Sequence, residues 1–163
     1  MHNPDICNGG IKLHFLIISL VIVILDQLSK YLVAANMEIG QSIVIINNFL
    51  YITYVRNPGA AFGMLPYQTI FFIIITVIVV FLIVFYYRYL SGNHLWLRLA
   101  LALQLGGAIG NLIDRIREGY VVDFINFTIF PPVFNLADSA IVIGIALFII
   151  AFWRYPELRK EVS

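Results

Sequence analysis

Three aspartates lie close together in the chain, between two strongly apolar stretches, and they are the strongest candidates for chemistry. Asp114, Asp123 and Asp138 all fall within Gly106–Ser139. Ionisable groups at or inside a membrane span are costly and tend to mark function. Two carboxylates that are held together share a proton, and such a pair can hydrolyse a peptide bond without metal. Asp123 and Asp138, each the one acid in an apolar neighbourhood, are the predicted catalytic pair.

The same two aspartates have a simpler structural explanation, which their spacing leaves open. Asn135 is a predicted helix N-cap, and Asp138 then lies in the first turn, where the helix dipole favours an anion. In that case Asp138 only caps the helix, and Asp123 is a loop acid paired with Arg115 or Arg117. In a catalytic pair, the first-turn position favours the anion at Asp138 and leaves the shared proton on Asp123.

The sequence contains few residues that could form other kinds of catalytic or binding site. A zinc site or a serine–histidine pair needs clustered ligands, but the chain has only His2, His14, His94 and Cys7. It contains no phosphate-binding GxxxxGK[ST] loop. The net charge of +1 argues against a nucleic-acid partner. We therefore expect no metal, no cofactor and no nucleic acid.

The composition is that of an integral membrane protein. Hydrophobic residues make up 61% of the chain, well above the roughly 45–50% of a soluble domain, and the mean hydropathy is +0.93. About 20 apolar residues suffice for a helix that crosses the hydrocarbon. We predict an all-α membrane protein that forms a single domain over residues 1–163, with four transmembrane helices at about 13–35, 69–88, 95–114 and 136–154.

Three segments between these spans have a different character. Ser42–Val55 is rich in β-branched and aromatic residues, with a possible turn at Asn47–Asn48, and predicts a small β-rich segment between spans one and two. Residues 56–63 contain Pro58–Gly59 and form either a loop into the next helix or an exposed edge to which a peptide adds as a strand. Residues 116–134 are predicted to be an extramembrane loop.

Polar residues interrupt the first and third spans. Asp26 and Lys30 are four apart and share a helix face. They either snorkel to the interface or help to shape the site. In the third span, Gly106 and Gly110 allow close helix packing. A neighbouring stripe should face protein or water rather than lipid, and it contains Gly107, Asn111, Asp114 and Arg115.

The charges outside the spans predict the orientation in the membrane. Four spans place both termini on one side. That side collects Lys12, Arg88, Arg98, Arg154, Arg159 and Lys160. The opposite side collects Lys30, Arg56, Arg115 and Arg117. Because positive residues are enriched in the cytoplasm, we place both termini there and the aspartates near the extracytoplasmic face.

Five short motifs follow one another along the chain: DQLSK at Asp26–Lys30, NPGAAFG at Asn57–Gly63, GGAIGNLIDR at Gly106–Arg115, VVDF at Val121–Phe124 and FNLAD at Phe134–Asp138. With these motifs the chain resembles the lipoprotein signal peptidases, the bacterial type II signal peptidases, over nearly its whole length. The resemblance implies an aspartic endopeptidase of the bacterial plasma membrane with four spans. Such a hydrolase would cut prolipoproteins just before a diacylglyceryl-modified cysteine.

The resemblance also implies roles for individual residues and partners. Asp123 and Asp138 would be the catalytic pair, and the partners would be diacylglyceryl-modified precursors and membrane lipids. The residues that line or support the site would be Asn57, Asn111, Arg115, Asn135, Asp26 and Lys30. The competing class is a small non-enzymatic membrane protein, either a proton-coupled transporter or an assembly factor, since intramembrane acids also serve proton relays. The lack of a detectable internal repeat disfavours a transporter.

Overall fold

Four long helices form most of the protein. The computed structural model describes residues 13–59, 65–90 and 94–155, without the side chain of Tyr89. The helices are α1 (Leu13–Asn36), α2 (Thr69–Tyr89), α3 (Leu95–Glu118) and α4 (Leu136–Arg154). All four are long and apolar enough to cross a membrane. The predicted all-α architecture with four transmembrane helices is therefore confirmed, although α3 runs about one turn beyond its predicted end.

Some of the predicted features lie outside the described residues. They are Cys7, the second half of the NPGAAFG motif, the connection at residues 91–93, and the terminal charges Lys12, Arg159 and Lys160.

The third helix is the centre of the bundle. In its most apolar window 61% of α3 is buried, against 6% of α2, which lies at the outside of the bundle. A Cβ atom on Gly106 would come within 2.7 Å of the Ser19 carbonyl oxygen on α1. A Cβ atom on Gly107 would overlap the Ala137 carbonyl oxygen on α4. The predicted close packing at the glycines of α3 is confirmed, and it brings α1 and α4 against the same helix.

A three-stranded antiparallel sheet stands outside the four helices. Strands β1 (Ser42–Ile46) and β2 (Leu50–Asn57) form the predicted hairpin, with its turn at residues 47–49. Strand β3 (Val121–Phe127) pairs with the other edge of β2, so the strand order is β1-β2-β3. The hairpin forms because β-branched and aromatic residues favour a pleated surface.

The prediction that residues 116–134 form a loop is wrong. Helix α3 continues to Glu118 and ends at Gly119, which adopts a left-handed conformation with φ at 78°. Glycine takes this conformation without steric cost and commonly ends helices. Strand β3 begins two residues later, and it crosses from there towards the start of α4.

The charge comparison used to orient the chain included one arginine that the fold buries. Arg98 donates hydrogen bonds to the Tyr87 hydroxyl at 3.0 Å and to the Leu90 carbonyl oxygen at 3.3 Å. This side chain joins α2 to α3 rather than lying in a solvated loop. The orientation with both termini in the cytoplasm stays a prediction.

Candidate active site

The site is assembled where β3 meets the entry to α4. Phe134 pairs with Ile125 through two backbone hydrogen bonds of 2.7 and 3.0 Å. Asn135 follows directly and is the N-cap of α4, as predicted. The pairing brings the Asn135 side chain beside Asp123, so that the amide nitrogen Nδ2 donates to Asp123 Oδ1 at 2.7 Å. The pairing of Phe134 with β3 therefore positions the hydrogen bond between Asn135 and Asp123.

Asn135 also holds the second aspartate. Its Oδ1 accepts from the Asp138 backbone N–H at 2.9 Å, and its own N–H donates to Asp138 Oδ2 at 3.2 Å, which together form a capping box. The remaining oxygen, Asp138 Oδ1, accepts from Asn111 Nδ2 at 2.7 Å. Asp138 is therefore a capping residue, as the simpler explanation required, but it also belongs to a polar cluster shared with Asp123.

The surroundings of Asp123 differ from those of a loop acid. The residue lies in β3 and is 2% exposed. Its second oxygen accepts from Asn57 Nδ2 at 2.8 Å, so one asparagine amide binds each oxygen. Arg117 is exposed, and the Arg115 guanidinium makes 3.5 Å contacts with the carbonyl oxygens of Asn111 and Gly59. The alternative in which Asp123 pairs with an arginine is wrong for the residues that the structure describes.

Burial raises the pKa of Asp123 towards neutral pH. Removal of the carboxyl from water, followed by the negative charge of Asp138, raises the pKa of Asp123 to about 7. The two asparagine donors act in the opposite direction, because they stabilise the charged form. The raised pKa of Asp123 is in the direction expected of the member that holds the shared proton, and the division of that proton within the pair stays a prediction.

Lys30 lies behind the two aspartates and is almost fully buried. Its Nζ is 2.8 Å from Asp26 Oδ2 and 2.9 Å from Asp114 Oδ2. Asp26 is 0% exposed and Lys30 3% exposed, so the alternative in which this pair snorkels to the interface is wrong. Asp26 Oδ1 also accepts from the backbone N–H of Ala137, which ties α1 to the first turn of α4.

The side-chain amide of Asn111 links Lys30 to the residues that hold Asp123 and Asp138. Asn111 Oδ1 accepts from Lys30 Nζ at 2.9 Å and from Asn135 Nδ2 at 3.1 Å. Because its oxygen is occupied by two donors, the amide nitrogen of Asn111 must face Asp138. The ammonium group thus sets the orientation of Asn111 directly, and that of Asn135 through it.

The polar cluster includes one residue that we did not predict. Gln27 Nε2 lies 2.8 Å from Asp114 Oδ1 and 3.1 Å from the Gly110 carbonyl oxygen. It precedes Lys30 by three residues, and this spacing on a helix indicates a shared face. Gly107, which we did predict, instead packs against α4 and lies outside the hydrogen-bonded cluster.

Both candidate catalytic aspartates open onto one pocket of about 690 Å³. Its polar wall is formed by Asn57, Asn111, Arg115, Asp123 and Asp138. Most of the remaining lining is aromatic and aliphatic, including Phe49, Phe127, Phe130, Phe134, Ile141 and Val142. Within residues 13–59, 65–90 and 94–155, no three His, Cys, Asp or Glu side chains are arranged to hold a metal ion.

The fold and the pocket define a multi-pass membrane protein with paired carboxylates beside an apolar cavity, and comparisons with known proteins specify its family. Residues 18–154 match the family model described as Signal peptidase (SPase) II. The lipoprotein signal peptidase of Moorella thermoacetica is 51% identical over 140 residues, 86% of this chain and 91% of that protein. The lipoprotein signal peptidase of Halothermothrix orenii is 49% identical over 142 residues, 87% and 97% of the two chains.

Two solved structures of bacterial membrane enzymes share the fold. A bacterial membrane enzyme solved by the in meso method at 2.3 Å resolution has a TM-score of 0.82 and 41% identity, and the match covers 94% of this chain and 93% of that one. A second, solved at 1.9 Å, has a TM-score of 0.79 and 43% identity over 85% and 92% of the chains. The chain belongs to the signal peptidase II family and is a membrane peptidase. The non-enzymatic alternative is therefore set aside.

Proposed function

We propose that the protein is an aspartic endopeptidase of the bacterial plasma membrane, which removes the signal peptide of prolipoproteins by cleaving before a diacylglyceryl-modified cysteine. The observation that carries the proposal is the shared attachment of Asp123 and Asp138 to Asn135. One residue holds both carboxylates, and both face the same pocket. The family supports removal of signal peptides from lipoproteins, and the geometry supports the aspartic mechanism.

In the proposed mechanism, the anionic Asp138 takes a proton from a water molecule that attacks the scissile carbonyl carbon. The protonated Asp123 donates to the carbonyl oxygen as the tetrahedral intermediate forms. Collapse of the intermediate breaks the C–N bond: the leaving amine takes the proton that Asp138 holds, and a hydroxyl of the intermediate returns its proton to Asp123, which restores the pair. Asn57 and Asn111 hold the carboxylates in place, and the Arg115 guanidinium supplies positive charge at the pocket wall.

The apolar part of the pocket supports a lipidated substrate. Aliphatic and aromatic side chains such as Phe130, Phe134 and Val142 lie on the same cavity as the two aspartates. Burial of acyl chains there contributes roughly 0.8 kcal/mol per CH₂ group. Such contacts would favour a precursor that carries a diacylglyceryl group over an unmodified one. Membrane lipids would be the competing ligands of this wall.

In the proposed orientation, both termini lie in the cytoplasm and the catalytic pair lies near the extracytoplasmic face. A signal helix of the substrate leaves the bilayer at that level, so the scissile bond would meet the pair there. Reporter fusions after Gly92 and at the C-terminus should report the cytoplasm, and fusions at Gln41 and Thr128 the opposite side. A cytoplasmic signal from the Gln41 fusion would overturn this orientation.

The experiment that tests the function is a cleavage assay with purified protein and two forms of one precursor. One form carries the diacylglyceryl group on its cysteine, and the matched control has the same sequence without the lipid. We expect a signal peptide to be released from the lipidated form, with the new N-terminus at the modified cysteine. Equal cleavage of both forms, or cleavage at another bond, would contradict the proposed specificity.

A further inference from the structure

The hairpin between α1 and α2 has an unusual surface for an extramembrane element. All five residues of β1 are exposed, and its four aliphatic side chains, Ile43 to Ile46, are each 45–55% exposed. Residues alternate between the two faces of a strand, so both faces of β1 are apolar and uncovered. Within the described residues β1 pairs only with β2, so its outer edge has no strand partner.

The sequence around β1 is also free of charge. No charged residue lies between Glu38 and Arg56, a segment that contains the whole of β1 and most of β2. Soluble proteins protect an exposed edge strand with charged side chains, proline or a bulge, because it would otherwise aggregate. Strand β1 contains no charged residue and no proline, and its one irregularity is a register shift in the pairing with β2 between Val44 and Ile46. Its surface is therefore suited to contact with an apolar medium rather than with water.

Strand β1 follows the end of α1, a candidate membrane span, after a short connection. Near the end of α1, Tyr31 is 68% exposed and Leu32 51% exposed, as expected for side chains that contact lipid. Six residue steps separate Asn36 from Ser42 and span at most about 20 Å. Gly40 and Gln41 are bonded to Tyr54 through backbone hydrogen bonds of 2.8 and 3.0 Å, which hold this connection against β2.

From these observations we propose that the β1 strand is a membrane-inserted element that lies in the interfacial layer of the bilayer, with lipid as its partner. The outer edge of β1, which has no strand partner among the described residues, limits how deeply the strand can insert into the bilayer. Unpaired backbone N–H and C=O groups are not tolerated in the hydrocarbon core, but headgroups and interfacial water can satisfy them. The aliphatic side chains of β1 reach the upper acyl chains, as the apolar face of an interfacial helix does.

The insertion would place the mouth of the catalytic pocket at the level of the lipids. Phe49 is the last residue of the hairpin turn and lines the pocket, and its carbonyl oxygen accepts from the Thr128 N–H at 3.0 Å. Ile129, 78% exposed, and Phe130, 48% exposed, lie on the same pocket. An acyl chain could thus enter sideways from the bilayer. This consequence rests on the proposed function, whereas the insertion of β1 does not.

Fluorescence quenching tests the insertion directly. Cys7 is the only cysteine of the chain, so Cys7→Ser gives a background for single labels. Ile45→Cys is labelled with an environment-sensitive dye in vesicles of phosphatidylethanolamine and phosphatidylglycerol. Ile78→Cys on α2 is the control in lipid, and Arg117→Cys is the exposed control in water. Labelling at these exposed positions leaves the packed interior unchanged.

We expect the Ile45 label to be several-fold less sensitive to aqueous iodide than the Arg117 label. Lipids brominated near the glycerol should quench it more strongly than lipids brominated near the chain ends. Iodide quenching equal to that of Arg117 would overturn the proposal, and so would stronger quenching from the chain ends. Disulfide-linked dimers of the unlabelled Ile45→Cys protein in detergent would instead identify a second copy as the partner. All three readouts are independent of peptidase activity.

Discussion

Replacement of Lys30 by methionine is the perturbation that most sharply tests how the polar cluster is held together. Methionine has a similar length but removes an ammonium group that contacts Asp26, Asp114 and Asn111 at 2.8–2.9 Å. Loss of one partner from a buried ion pair costs about 3–5 kcal/mol, because the remaining charge stays buried without compensation. Loss of one hydrogen-bond donor to Asn111 adds about 1 kcal/mol. We expect Lys30→Met to lower the free energy of unfolding by at least about 3 kcal/mol.

The assay is equilibrium unfolding in mixed micelles, with activity measured on the folded fraction. A matched variant, Lys30→Met with Asp26→Asn and Asp114→Asn, removes the whole set of charges and should recover much of the lost stability. It should recover little activity, because Asn111 still lacks the donor that orients its amide towards Asp138. A Lys30→Met protein within about 0.5 kcal/mol of the wild type would refute this account of the cluster.

Three further predictions concern pH, packing and metal. Because the pKa of Asp123 is raised from 3.8 to about 7, the folded protein binds more protons than the unfolded chain between these values. The free energy of unfolding should therefore fall as pH rises through this window, and Asp123→Asn should abolish that trend in pH-dependent unfolding. Cleavage should fall as pH rises through about 7. Gly107→Ala should lower the free energy of unfolding, measured by heat or denaturant, by about 1–3 kcal/mol, because its Cβ would overlap the Ala137 carbonyl oxygen. An unchanged free energy of unfolding would contradict the close packing of α3 against α4. Cleavage should survive strong chelators, and loss with EDTA that zinc restores would refute the two-carboxylate mechanism.

The local features of the chain could be predicted because their causes lie within a few residues. The four apolar stretches and the hairpin around Asn47–Asn48 follow from composition and side-chain type. The N-cap at Asn135, with Asp138 in the first turn, follows from residue types at a helix start. Such signals need no knowledge of what the element packs against.

The features that escaped prediction depend on partners distant in the chain. Strand β3 carries the β-branched and aromatic residues typical of a strand, a signal that the loop prediction overlooked, but its pairing with β2 depends on residues distant in the chain. The spacing of Asp26 and Lys30 indicates one helix face, but only α3 and α4 determine that this face is buried. The bond from Asn57 to Asp123 likewise joins residues 66 positions apart. The catalytic roles of these residues stay predictions.

The most direct test of the central claim is the turnover of Asp123→Asn and Asp138→Asn on a lipidated precursor at matched protein level. Asparagine preserves the size of each side chain, and at Asp138 it can still cap α4, since Asn and Asp cap comparably. It cannot exchange a proton at working pH. We predict that each single variant stays folded and membrane-inserted, still binds precursor, and loses cleavage nearly as fully as the double variant, because paired residues act as a unit. Substantial turnover by either single variant would contradict the assignment of Asp123 and Asp138 as the catalytic pair.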